Sequence, residues 1–282
     1  MKIQKKLAIA YFRTKLNLLT IINKRSGGKE AFRLFCTPLV RYRGKPGTTF
    51  QASEAKSFQF NKKWVSGSEC NPKGIKTVLI LHGFSSSYHK FDHLAASLVE
   101  KNYRVLAFDA PAHGSSEGKM INALDYSNMV KEIMQLFGPI DAFIAHSFGG
   151  LAVSLALEAV PHNAAVKLIL IAPATETTTA MDDALKMLRI TNPNVKQALA
   201  DHIKKFSGNP PEWFSIRRAT KNIQAKILWI HDYDDFITPI ADVLKVQEDN
   251  PANVEFYFTQ GLGHQKIYRD ASVMKKILNF LG

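Results

Sequence analysis

The 282-residue chain carries 37 Lys+Arg against 24 Asp+Glu, a net charge of +13, and 46% hydrophobic residues; that balance is globular and excludes disordered and fibrous classes. The charge is unevenly placed, because Met1–Lys76 holds 17 basic and 3 acidic residues while Thr77–Gly282 holds 20 and 21. A main region without surplus positive charge is not built to grip nucleic acid, so no nucleic-acid partner is expected.

At the start of the chain, Ile3, Leu7, Ala10, Tyr11, Leu18, Ile21 and Ile22 recur at helical spacing with Lys5, Lys6, Arg13, Lys15, Lys24 and Arg25 between them. This predicts one or two basic amphipathic helices. Arg13 and Lys15 interrupt the apolar run Leu7–Phe12 well short of the roughly 20 residues a membrane span needs. No small-residue cleavage site follows it, so no transmembrane or export segment is expected and a cytoplasmic location is the reading. Two cysteines without metal spacing, Cys36 and Cys70, agree with reduced thiols. The basic start allows two outcomes: packing on its own domain with its lysines in water, or peripheral contact with a membrane surface.

Ser26–Gly28 reads as a helix break, Glu30–Phe35 as a second short helix, Thr48–Lys63 as an edge hairpin around Phe50, Phe58 and Phe60, and Ser66–Lys73 as a loop. From there, short apolar runs alternate with helical stretches. The runs are Thr77–Leu81, Arg104–Phe108, Asp141–Ala145, Lys167–Ala172, Lys226–His231 and Val254–Phe258. The helices are Phe91–Lys101, Ala123–Phe137, Phe148–Ala159, Ile240–Glu248 and Ala271–Phe280. Continuous apolar strands alternating with helices predict an α/β fold with a mostly parallel central sheet covered on both faces. The interval 174–224 is too long for a simple crossover; it contains Met181–Leu188 and a helix that Pro193 opens and Gly208 closes. Its apolar content, including Met181 and Trp213, suggests a helical lid. The expected organisation is thus an extension with edge strands over 1–76 and one α/β domain over 77–282 with that lid inserted.

Strand Asp141–Ala145 runs directly into His146, Ser147, Phe148, Gly149 and Gly150 and then into an Ala- and Leu-rich helix. A serine on such a strand-to-helix turn needs small neighbours because the backbone is strained and the helix packs closely; Ala145 and Gly149 supply them. Ser147 is therefore the candidate nucleophile, the plainer reading being an N-capping serine. Four blocks then stand in one order: His82-Gly83-Phe84 after the first buried strand, Asp109–Ser116 after the second, Ala145–Gly149, and Asp235 followed by His264. On these the chain resembles the α/β-hydrolase family over roughly Thr77–Gly282, with Ala112 and Ala145 where glycine is usual.

The resemblance implies an α/β-hydrolase fold and the order serine, acid, histidine. His264 is the one histidine after the Lys226–His231 strand and takes the role of base. The stretch Asp232–Pro239 resembles the family's Gly-x-x-Asp-x-x-x-Pro block, which implies Asp235 as the acid, with Asp234 as its rival and Asp232 standing where the block has glycine. The implied oxyanion donors are the backbone N–H groups of Phe84 and Phe148. His146, Ser85, Met181 and Trp213 are candidate substrate contacts. His89 and His93 have metal-ligand spacing but lack the zinc-protease glutamate and a third ligand, no Cys-x-x-Cys pair is present, and no Gly-x-Gly-x-x-Gly follows the first strand. No metal or cofactor is therefore expected. The expected activity is acyl transfer from a small, uncharged ester-like substrate. Thioester, lipid-ester or carbon–carbon bond hydrolysis, or ligand binding without catalysis, remain alternatives on the same fold.

Overall fold

Eight strands build one sheet in the order β1-β2-β4-β3-β5-β6-β7-β8 in the computed structural model, which describes Lys2–Gly282. Met1 and the side chains of Lys2, Ile3 and Lys5 lie outside the described residues, and with them the Ile3 and Lys5 positions of the expected amphipathic pattern. In chain order the elements are α1 (Lys2–Ile22), α2 (Lys24–Phe35), α3 (Thr48–Gln51), β1 (Glu54–Phe60), β2 (Lys63–Cys70), β3 (Lys76–Leu81), α4 (Asp92–Glu100), β4 (Tyr103–Phe108) and α5 (Ala123–Phe137). There follow β5 (Ala142–His146), α6 (Phe148–Leu157), β6 (Lys167–Ile171), α7 (Thr177–Met187), α8 (Pro193–Ser207), α9 (Ile216–Ala219), β7 (Lys226–Asp232), α10 (Ile240–Glu248), β8 (Val254–Thr259), α11 (Gly263–Lys266) and α12 (Ala271–Leu281).

The chain divides into two compact units, Met1–Thr37 with Glu176–Ser215, and Pro38–Thr175 with Ile216–Gly282. The larger unit contains the sheet. Strands β3 to β8 are parallel, whereas β1 and β2 form an antiparallel hairpin that joins β4. Parallel strands covered on both faces need apolar side chains at every position, and β3, β4, β5 and β6 are buried almost end to end. One face, with Val78, Ile80, Ile144, Ile169, Leu228 and Ile230, packs on Leu94 and Leu98 of α4 and on Val273 and Ile277 of α12. Residues of the opposite parity face the other way, where α6 meets β3 and β5 and α10 meets β7.

Two expectations are corrected in the hairpin region. Phe50 lies on the short helix α3, with the hairpin starting only at Glu54 and turning through Asn61 and Lys62, whose φ values of 49° and 61° are left-handed. Ser66–Cys70, expected as loop, is the second half of β2. Its polar composition reflects its partners: Glu69 pairs with Lys56 and Arg104, and Gly67 gives room to the Phe108 ring, which lies 2.2 Å from where a β-carbon would stand. The charge boundary at Lys76 therefore falls at the start of β3, inside the sheet. Cys36 and Cys70 are buried and form no disulfide.

The smaller unit is helical. Here too the sequence reading is corrected, because α2 runs straight through Ser26, Gly27 and Gly28 and the break lies at Asn23, whose side chain caps α2 by accepting from the Ser26 N–H. A β-carbon on Gly27 would sit 2.2 Å from Thr20 Oγ1 of α1, and one on Gly28 would sit 2.2 Å from the Ala198 carbonyl oxygen of α8. The two glycines thus let α2 approach one helix on each side. Phe32 packs on His202 and Phe206, and Lys24 pairs with Asp201 at 2.9 Å. Helix α8 opens at Asn192-Pro193 and closes at Gly208 with φ 80°, the capping pattern its sequence predicted.

Candidate active site

The carboxyl ends of the parallel strands share one edge, where ligands bind in open α/β sheets. Strand β5 ends there at His146, α6 begins at Phe148, and Ser147 lies between with φ 54° and ψ −120°. A residue other than glycine costs roughly 1–3 kcal/mol in such a conformation, so the surroundings must hold it. The Ser147 N–H donates to the Ile171 carbonyl at 3.1 Å, and its carbonyl accepts from Gly150 at 2.9 Å and Ala174 at 3.0 Å. Small residues make the turn possible: a β-carbon on Gly149 would lie 2.8 Å from the carbonyl oxygens of Leu81 and His82, and one on Gly83 would lie 2.9 Å from Ser147 Cβ. Ser147 is 8% exposed. As the first residue of α6, Phe148 has an N–H with no acceptor within its helix, at the positive end of the helix dipole.

The loop after β3 is held by two neutral histidines. His82 donates from Nδ1 to the Gly83 carbonyl at 2.7 Å and accepts at Nε2 from the Ala110 N–H at 2.9 Å. Burial lowers its pKa to about 4. His113 donates from Nδ1 to the Pro111 carbonyl at 3.0 Å and accepts at Nε2 from the Ser85 N–H at 2.9 Å. Burial, helped by His82, lowers it to about 3. Ser85 has φ 54° and its amide is thereby occupied. The adjacent Phe84 ring stands edge-on to Phe148 at 5.7 Å, which brings the two expected donor residues together.

Three carboxylates stand at the carboxyl end of β7, Asp232 as its last residue and Asp234 and Asp235 just after it, and each has its own partner. Asp235 Oδ2 accepts from His264 Nδ1 at 2.8 Å, and its Oδ1 accepts from the Ile237 and Thr238 N–H groups. Burial alone would raise the Asp235 pKa; the His264 ring and those two amides outweigh it and hold the carboxyl down to about 2. Asp234, the alternative acid, instead accepts from the Gly261 N–H at 3.0 Å. Asp232 accepts from Asp234 N–H, Thr259 Oγ1 and Leu262 N–H. Both therefore tie the carboxyl end of β7 to the segment after β8 that leads into α11, the short helix carrying His264.

Thr238 escaped the sequence reading. Its hydroxyl donates to Asp235 Oδ2 at 2.8 Å, the oxygen that also meets His264, and stands 3.2 Å from His264 Nδ1. The signal available was the Asp-x-x-Thr spacing before Pro239, a local side-chain-to-backbone pattern. His146 packs its ring on His264 with centroids 4.6 Å apart and donates from Nε2 to the His264 carbonyl at 2.9 Å. The structure thus brings Ser147, His264, Asp235, Phe84, Phe148, Ser85 and His146 to one unit. Met181 and Trp213 belong to the helical unit, Met181 buried in α7 and Trp213 edge-on to Phe214. His89 lies on a 3-10 turn that precedes α4, bonded to the Gly44 carbonyl at 3.2 Å, so it and His93 do not share one α-helical face.

The sheet order and the serine turn between β5 and α6 define an α/β hydrolase. A model of the family described as serine aminopeptidase, S33, matches residues 72–212, and the chain belongs to that family. A putative esterase/lipase 2 of Mycoplasma pneumoniae is 27% identical over 130 residues, 44% of this chain and 48% of the relative. A magnesium-chelatase 30 kDa subunit of Rhodobacter capsulatus is 32% identical over 100 residues, 34% of each chain. The matches thus span half or less of these curated relatives. Among solved structures, an esterase of Pyrococcus furiosus superposes with a TM-score of 0.64 at 20% identity, covering 87% of this chain and 98% of that one. At that identity the likeness is one of fold.

Proposed function

We propose that this protein is a serine hydrolase of carboxylic esters or related acyl compounds, with Ser147 as nucleophile, His264 as base and Asp235 as its orienting acid. The observation that carries the reading is the His264–Asp235 hydrogen bond of 2.8 Å at the sheet edge where Ser147 occupies its strained turn. With Nδ1–H directed at a carboxylate held ionised, the other ring nitrogen is left as the acceptor for the serine proton. Ser147 Oγ attacks the acyl carbon as His264 takes its proton, and the oxyanion is met by the N–H groups of Phe84 and Phe148. Collapse breaks the bond to the leaving oxygen, which receives the proton from His264. Water, activated by the same imidazole, then releases the acid and restores Ser147. The names of the esterase/lipase relatives and of the Pyrococcus esterase support an ester substrate.

A fluorophosphonate probe followed by intact mass tests the chemistry. One adduct is expected on the native chain and none on Ser147→Ala; a folded native chain that takes up no probe overturns the reading. A panel of p-nitrophenyl esters and acyl thioesters of graded length, with Ser147→Ala as control, then separates ester from thioester preference. The expected outcome is a larger kcat/KM for oxygen esters, with the alanine variant lower by about 10³-fold or more.

A further inference from the structure

We propose that the outer face of α1 is a docking surface for an anionic lipid bilayer, on which the helix lies in the plane of the interface. The inner side of this helix is committed within its own unit, where Leu16 is 1% exposed and Thr20 is buried against Gly27 of α2. The opposite side is apolar and open: Leu7, Tyr11, Leu18, Ile21 and Ile22 are between 54% and 80% exposed. At 3.6 residues per turn these five fall on one stripe, with Leu16 on the far side of the helix and Lys6 and Arg13 along one flank. Such a stripe gains nothing in water, where single exposed apolar residues are ordinary but a row of five along one helix is not.

Charge selects the occupant. Residues 1–37 hold nine Lys and Arg against one acid, Glu30, and that acid is already engaged by Lys15 and Arg33. Among the described residues, Lys6, Arg13, Arg25 and Lys29 have no ion-pair partner within 4.0 Å. A second copy of the same surface would meet this one with like charge. Anionic headgroups meet it with opposite charge while the acyl region receives the stripe, the arrangement of interfacial amphipathic helices. No described helix is long and apolar enough to cross a membrane, so docking in the plane is what α1 can do. This inference rests on the helical unit alone and is independent of the proposed chemistry.

The test is co-sedimentation of the full chain with vesicles of phosphatidylcholine alone or with about one third phosphatidylglycerol, at low and high salt. Binding is expected to the anionic vesicles at low salt, to weaken with salt, and to fall at least tenfold in Leu18→Glu/Ile22→Glu. Leu18→Ser/Ile22→Ser removes the apolar side chains without adding negative charge, and is expected to lower binding in the same direction. Both pairs are exposed positions, and circular dichroism checks that each variant is folded. A native chain left in the supernatant with anionic vesicles overturns the proposal, as does unchanged binding by both double variants. A dimer seen by analytical ultracentrifugation and abolished by the same variants, without vesicle binding, would assign the stripe to a second copy instead.

Discussion

His146 stands next to the proposed nucleophile in sequence and holds the proposed base in space. A carbonyl oxygen only accepts, so the 2.9 Å contact to the His264 carbonyl requires the proton on His146 Nε2, leaving Nδ1 as a buried acceptor with no partner among the described residues. Burial, reinforced by the neighbouring His264 and only partly opposed by the hydrogen bond to the His264 carbonyl, lowers His146 to about 3. It is thus a fixed neutral donor wherever an esterase would work, and the Tyr268 ring, edge-on at 4.8 Å, keeps its plane. We propose that His146 positions the base through this hydrogen bond, a role distinct from the substrate contact expected from the sequence. Removing one partner of a buried hydrogen bond costs roughly 1–3 kcal/mol, so His146→Ala is expected to lower kcat by about 5- to 100-fold with KM little changed. His146→Gln, whose amide can replace the Nε2 donor, is expected to recover most of the rate. A merely structural role would reduce the folded fraction and leave kcat per folded molecule intact in both variants, which active-site titration with the fluorophosphonate distinguishes.

At the scale of elements, the glycine pair of α2 shows how a helix can be specified by its neighbours. Gly costs roughly 1 kcal/mol against Ala inside a helix, yet at Gly28 the intrinsic gain of alanine is outweighed because its β-carbon would meet the backbone of Ala198, which cannot rotate away. Gly28→Ala is expected to destabilise the helical unit by about 1–3 kcal/mol, read as a lower urea midpoint or earlier loss of amide protection in α2 and α8. A neutral or stabilising result would mean that the two helices part at no cost. The same element explains what the sequence concealed. Strands β3 to β7 were legible because burial on both faces leaves continuous apolar runs, and the Ser147 turn was legible because its small neighbours are adjacent in the chain. The α2 glycines, the polar half of β2 and the hydroxyl of Thr238 were not, since each answers to a group remote in sequence or in role: Ala198, Phe108 and His264. The resemblance to the family's acid block already favours Asp235 over Asp234 in the sequence, and the structure gives the two different partners: Asp235 accepts from His264 Nδ1, whereas Asp234 accepts from the Gly261 N–H.

For the larger unit as a whole, the histidines that stiffen the site also make its stability depend on pH. His82, His113 and His146 have an ordinary pKa of 6.5 and are held at about 4, 3 and 3 in the folded state, burial being the leading cause in each. Below pH 6.5 the unfolded chain takes up protons that the folded chain refuses, so the stability these groups contribute is fully present above that pH and is lost as pH falls. Each imidazole removes up to about 1.4 kcal/mol per pH unit, and the three together about 4 kcal/mol per unit between roughly pH 6 and 4. Asp235 extends the loss further, from its ordinary 3.8 down to about 2. Asp109 opposes it, because burial raises that carboxyl and the folded state then gains a proton first. Against a typical total of about 5–15 kcal/mol, the histidine loss is large enough to unfold the unit in mild acid. Urea unfolding at pH 7.5, 6.5, 5.5 and 4.5 is expected to show a nearly constant midpoint over the first interval and a steep fall over the next two. In His113→Gln the amide oxygen can still accept from the Ser85 N–H but cannot titrate, so the slope between pH 6 and 4 is expected to become shallower, the buried His231, also lowered by burial, keeping its share. A native slope that stays flat down to pH 5, or one that His113→Gln leaves unaltered, would show that these imidazoles take up protons while folded. The neutral hydrogen-bonding scheme around the loop after β3 would then have to be abandoned.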